Sequence, residues 1–300
     1  MATRRRKQPR ARSILLSRKH RAKAPDVSLS SKASRAVISR HHGLQKRLAQ
    51  ALAQNDLKTA DSLKAEIDIN GGLEWYQHAS IVGQSDERGG DSSKILMDWI
   101  KDMPPQLNKK TEPVPPLRLL EVGALTMDNA CSKSAMFSVT RIDLHSRHPG
   151  ILSQDFMERP IPAHEEEEEE EEKFDIISLS LVLNYVPSPP QRGEMLRRTT
   201  DFLRRTNLQD SRLSDLFPSL FLVLPAPCVT NSRYLDDQRL TNIMESLGYS
   251  RCRQKLTNRI LYQLWVFHGQ PGHNRICTTK FKKEEVKGGK NRNNFAIVLE

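Results

Sequence analysis

The chain has 300 residues, enough for one large domain or for a catalytic domain with appendages. Its 47 Lys and Arg stand against 36 Asp and Glu, and eight of those acids form one run, Glu165–Glu172. The remainder is therefore strongly basic and suits a polyanionic partner, because each Lys or Arg that neutralises a phosphate releases condensed counterions.

The cysteines at 131, 228, 252 and 277 are scattered, with no C-x-x-C pair and no histidine at ligand spacing. That argues against a zinc site or a disulfide framework. No apolar run approaches the length that spans a bilayer, and the first residues lack the apolar core of a secretory signal. The expectation is a soluble intracellular protein without membrane or metal.

Residues 1–43 read as a disordered basic tail. Arg4-Arg5-Arg6-Lys7 and Arg18-Lys19-His20-Arg21 sit among Ser, Ala and Pro, with too little apolar content to offset the entropy of ordering. Two such clusters suggest nuclear import or phosphate-binding arms. Residues 44–110 read as a helical region. Leu44, Leu48, Leu52, Ala60, Leu63 and Ile67 recur at helical steps, and Gly71-Gly72 ends that run. The stretch Leu73–Ser80 follows, and a second helix opens after Asp91-Ser92-Ser93 with Ile95, Leu96, Trp99 and Ile100 on its buried face.

From residue 111 to 300 the pattern is α/β. Apolar runs at 117–122, 137–144, 174–183, 220–224, 260–267 and 295–299, with a short one at Ile151-Leu152, predict strands covered on both faces. Between them, Ser188-Pro189 opens a helix with Met195, Thr199, Phe202 and Leu203 on one face. Asp236 caps another, with Leu240, Ile243, Met244 and Leu247 buried and Gly248 past its end. Strands alternating with helices predict a Rossmann-like doubly wound sheet. The last two runs, 260–267 and 295–299, lack a helix between them and are expected to close it as an antiparallel hairpin. The acidic stretch, 163–173, reads as a loop insertion.

In such a sheet ligands bind at the carboxyl ends of the strands. Glu121-Val122-Gly123 ends the first strand, Asp143 ends the second, and Asp155-Phe156 follows the short third. Gly123 permits close approach to the backbone, and Asp143 can accept both hydroxyl hydrogens of a ribose. Asp155 can accept from an adenine amine. A dinucleotide would need a G-x-G-x-x-G phosphate cradle, whereas the segment here is Gly123-Ala124-Leu125-Thr126-Met127-Asp128. S-adenosylmethionine, an adenosyl ligand without phosphate, suits one glycine and one acid.

These residues resemble the class I, seven-stranded methyltransferases over roughly residues 117–300, with Leu125 and Met127 where that pattern usually has further glycines. GGLEWYQHASIVGQS (71–85), SLVLNYVPSPPQRGEML (180–196) and LVLPAPCVTNSRYL (222–235) are similar to the fungal nucleolar large-subunit (25S) rRNA adenine-N1 methyltransferases. The resemblance implies S-adenosylmethionine bound at Gly123 and Asp143, large-subunit rRNA or a pre-ribosome as partner, and a role in ribosome biogenesis in the nucleus and nucleolus; the expected state is a monomer. Animal relatives of the family act as S-adenosylmethionine sensors, so a non-catalytic sensor or ribosome-assembly factor is the alternative.

For the enzyme, Asn184 and Tyr185 are the expected catalytic pair. They follow the fourth strand, where the Asn184 carbonyl would accept from adenine N6 and Tyr185 would stack on the base. The competing reading is an ordinary post-strand turn with Leu183 and Val186 in the core. Trp75 and Tyr76 could cap the cofactor, clamp a base or simply pack. Arg141 and Arg147 could attract phosphate or be plain surface charge. His78, His145 and His148 are expected to be solvated or structural.

Overall fold

A computed structural model describes residues 30–83, 90–101, 115–146, 148–162, 172–204, 216–269 and 279–300. Both basic clusters, Arg147 and Glu165–Glu171 lie outside the described residues.

Helix α1, Ser31–Ala53, opens where Ser30 Oγ accepts from Ala33 N at 3.2 Å. It therefore begins inside the stretch expected to be tail, thirteen residues before the expected helical start. The expected single helix is also broken. Asn55 adopts φ +56°, a conformation that asparagine tolerates. Asp56 then caps α2, Leu57–Ile69, accepting from Thr59 N at 3.1 Å. The apolar period runs on across the break because both helices feed one cluster, with Leu44 and Ala51 packed on Ala60, Leu63 and Ile67. Gly71 takes φ +88°, and α3, Gly72–Gly83, follows at once. Helix α4, Ser93–Ile100, starts where Asp91 Oδ1 accepts from Ser93 N at 2.8 Å.

The sheet comprises β1 (Leu117–Val122), β2 (Phe137–Asp143), β3 (Leu152–Ser153), β4 (Ile176–Ser180), β5 (Ser219–Pro225), β6 (Tyr249–Leu256) and β7 (Ile260–Phe267). Their spatial order is β3-β2-β1-β4-β5-β7-β6, with β7 antiparallel to both neighbours. Short α5 (Ala130–Lys133), then α6 (Pro189–Phe202), short α7 (Pro227–Thr230) and α8 (Asp237–Ser246) lie between strands.

Alternate strand residues face opposite sides, as the pleat requires. Leu120, Ile177, Leu222 and Trp265 join Met195, Phe202, Leu240 and Ile243 of α6 and α8 in one core. Leu119, Ile176, Phe221 and Leu264 meet Leu96 and Ile100 of α4 in the other. Burying each such aliphatic side chain contributes roughly 1.5–3 kcal/mol, and this double covering explains the uninterrupted apolar runs.

The closing hairpin is present, but its partner differs from the expected one. β7 pairs with β6, Leu256 opposite Leu261, and not with residues 295–299. The β6 sequence, YSRCRQKL, is an edge strand with five exposed positions beyond Ser250, so it carries no apolar signature. Phe295–Leu299 is buried all the same. It lies along α6, where Val298 N donates to Pro189 O at 3.1 Å and a Cβ on Gly193 would stand 1.8 Å from Val298 O. One antiparallel bridge joins Leu299 to Phe281.

Candidate active site

The parallel register pairs Val122 with Ile142, which sets Gly123 beside Asp143 at adjacent carboxyl ends. Gly123 N and Ala124 N both donate to Ile142 O, at 2.8 and 3.1 Å. Gly123 has φ +76°, and a Cβ there would meet Val182 Cγ2 at 2.7 Å. The glycine is thus required twice, by the backbone turn and by the residue after β4. The Asp143 carboxylate is half-buried and accepts from His145 N at 3.0 Å. Asp155 stands one strand further along and accepts from Met157 N at 2.8 Å. Phe156 is 2% exposed, its ring against Phe202 in the core, so only its backbone remains to line a ligand.

Glu121 is enclosed beneath this loop. Its Oε1 accepts from Asn129 Nδ2, and its buried Oε2 has no hydrogen-bond partner. Burial pushes this carboxyl up to about 7, although the Arg141 guanidinium works against the rise. Arg141 is itself engaged, its Nε donating to Ser132 Oγ at 3.2 Å, which makes it a local brace. A raised carboxylate pKa means that the folded protein holds the proton more tightly than the unfolded chain. The resulting stability is complete below the ordinary carboxylate range and is lost as pH rises through about 7. Glu121→Gln keeps an acceptor for Asn129, and at pH 8 it should melt a few degrees above the parent, on the order of 1–2 kcal/mol. At pH 5 the gain should vanish, and parallel melting curves at the two pH values check this.

The segment before α4 reaches across the same rim. Asp91 Oδ2 accepts from Ala130 N at 2.5 Å, and Ser92 and Ser180 hydroxyls bond at 2.7 Å. It thereby ties the start of α5 to the end of β4.

Beyond β4 the chain enters a strained turn. Leu181 has φ +56°, unusual for a branched residue and typical of functional sites. Its N–H is held by Val223 O at 3.0 Å, and Tyr185 N donates to Val182 O at 2.8 Å. The Asn184 Oδ1 is buried without a hydrogen-bond partner among the described residues. Tyr185 stacks on His42 of α1, centroids 3.9 Å apart, and meets the Tyr76 ring of α3 edge-on at 5.7 Å. Tyr76 in turn stacks on His41 at 4.7 Å.

Burial, together with the charges of His41 and Lys46, pulls His42 down to about 3, so its imidazole is neutral. The Tyr185 phenol is raised, again by burial first. The structure therefore brings Tyr76, Asn184 and Tyr185 together near Asp143, and Gln77 Nε2 reaches His145 O at 3.3 Å on the loop after β2. Trp75 belongs elsewhere, folded over Gly71 with His78 at its edge. His41 and His42 were invisible to sequence reasoning, because nothing local marks a histidine pair whose ring partners lie 35 and 143 positions away.

A family model described as "25S rRNA (adenine(2142)-N(1))-methyltransferase, Bmt2" matches residues 61–297. The chain belongs to this family. It is 40% identical over 263 residues to the 25S rRNA adenine-N(1) methyltransferase of Schizosaccharomyces pombe, covering 87% of this chain and 89% of that one. It is 38% identical over 275 residues to the 25S rRNA (adenine(2142)-N(1))-methyltransferase of Saccharomyces cerevisiae, covering 89% and 73%. In this member of the 25S rRNA adenine-N1 methyltransferase family, the matched span takes in Gly123, Asp143 and the Asn184–Tyr185 turn. The histidines of α1 lie before it.

Proposed function

We propose that this chain transfers a methyl group from S-adenosylmethionine to N1 of an adenine in large-subunit rRNA. The observation that supports this most directly is the Gly123–Asp143 pair, a backbone opening and a carboxylate on neighbouring strand ends, one strand away from a buried and unsatisfied Asn184 carbonyl. The donor set suits an adenosyl ligand. Asp143 would hold the ribose hydroxyls, Asp155 the adenine amine, and the Gly123 backbone the sulfonium-bearing side, with no phosphate to accommodate. When bound, S-adenosylmethionine supplies an electrophilic methyl carbon, and the protein contributes alignment and electrostatics.

Adenine N1 carries its own lone pair, so no general base is needed. The Asn184 Oδ1 accepts from adenine N6 and fixes the edge that presents N1. Tyr185, braced on one face by His42 and at its edge by Tyr76, offers its remaining face for stacking. An adenine methylated on its Watson–Crick edge must be unpaired or flipped out, and a walled aromatic pocket recognises such a base. The neutral state of His42 also matters, since an imidazolium there would oppose the positive charge that develops on the base.

The test is incubation of the full chain with tritiated methyl donor and unmodified large-subunit rRNA, followed by nucleoside analysis. Label in N1-methyladenosine supports the enzyme, whereas cofactor binding without incorporation supports a sensor. The basic clusters within residues 1–29 suit import, and we place the protein in the nucleus and nucleolus. Removing residues 1–29 should abolish nuclear accumulation of a fluorescent fusion while leaving cofactor affinity unchanged; a truncated protein still concentrated there refutes the import role.

A further inference from the structure

Two stretches without a single acidic residue, 253–259 (RQKLTNR) and 286–294 (VKGGKNRNN), converge on the loop that follows β5. Ala226 N donates to Arg259 O at 2.7 Å, and Asn293 Nδ2 donates to the next residue's carbonyl, Pro227 O, at 2.6 Å. Asn231 Nδ2 and Arg233 add bonds to Asn291 O and Gly289 O. The hairpin tip between β6 and β7 and the 288–294 loop are therefore held side by side at the carboxyl edge of the sheet. The sheet places them on the same edge as the Asn184–Tyr185 turn, because β5 is the immediate neighbour of β4 and Leu181 N is bound by Val223 O.

Arg253, Arg259 and Lys290 are exposed, and Arg292 partly so. None of the four forms an ion pair with another described residue, whereas three acids of neighbouring segments are already engaged. Asp236 pairs with Lys287, Asp237 with Arg251 and Glu284 with Arg239. Lys46 of α1 adds a further exposed cation. Its charge acts on both the His42 imidazole and the Cys228 thiol of α7, so it stands within electrostatic reach of both.

We infer that Lys46, Arg259, Arg253, Lys290 and Arg292 form a track for the sugar-phosphate backbone of the RNA, leading from the hairpin tip across α7 to the Tyr185 pocket. This rests on the proposed RNA methylation and adds to it the surface that carries the flanking strand. Phosphate contacts of this kind position a nucleic acid without reading its sequence. Asn258, Asn291 and Asn294 supply neutral donors along the same line. The track lies at the β7–β6 end of the sheet, opposite to the cofactor end at β2 and β3, so RNA and cofactor approach from different sides.

The test compares the parent with the triple variant Arg253→Gln, Arg259→Gln, Lys290→Gln, using unmodified large-subunit rRNA transcribed in vitro. The variant should bind the RNA about tenfold more weakly or worse, and its plot of log affinity against log salt should flatten by about 2. Its S-adenosylmethionine affinity, melting temperature and turnover at saturating RNA should match the parent. An unchanged salt slope in a variant whose parent methylates RNA overturns the track and leaves the methylation reading standing. A parent that neither binds nor methylates the RNA overturns both.

Discussion

Replacing Asp143 with alanine is expected to weaken S-adenosylmethionine binding by about 100-fold or more, to the limit of detection in calorimetry. The carboxylate is placed to accept two hydroxyl hydrogens, and each hydrogen bond to a charged group is worth about 1.5–3 kcal/mol. The loss should be local. Asp143 sits at the end of β2, and its one side-chain hydrogen bond among the described residues goes to the neighbouring His145 N, so the fold should melt near the parent temperature. Asp143→Asn separates charge from shape and should fall between the two. Full affinity in the alanine variant would move the cofactor away from the β1–β2 crevice.

Asn184→Ala should produce the second large effect, and on a different parameter. The side-chain carbonyl is buried and has no partner among the described residues, so its removal costs the fold little and the substrate much. Turnover should drop on the order of 100-fold, because an unanchored adenine edge misplaces N1 relative to the methyl carbon. Cofactor affinity should hold, and Asn184→Asp, which keeps the acceptor oxygen, should recover part of the rate. Normal turnover in the alanine variant would assign Asn184 to packing.

Much of this architecture was legible in the residues. The runs at 117–122, 220–224 and 260–267 are strands to within a residue or so, because a strand covered on both faces must be apolar throughout. The faces of α6 and α8 were readable for the corresponding reason at helical period. The adjacency of Gly123 and Asp143 followed once two parallel strands were placed.

What escaped obeys equally simple physics. An edge strand with a solvated face carries no apolar signal, so β6 was missed while the buried 295–299 segment, which lies outside the sheet, took its place. The first helix starts thirteen residues early because its stability comes from tertiary contacts, His42 on Tyr185 among them, which composition cannot show. For the same reason the pocket's histidines are a property of the fold and not of any motif.

Arg192, near the start of α6, gives the Asn184–Tyr185 turn an unexpected dependence on the last residues of the chain. Its guanidinium donates to Val186 O and Pro187 O, just past the Asn184–Tyr185 turn, and at the same time to Ala296 O, while lying over the Phe295 ring at 4.4 Å. One cation thereby fastens two strips of backbone that are more than a hundred residues apart. Trimming the final half-dozen residues would strip that cation of a carbonyl and an aromatic face, and the disturbance would be felt first at the backbone just past Tyr185.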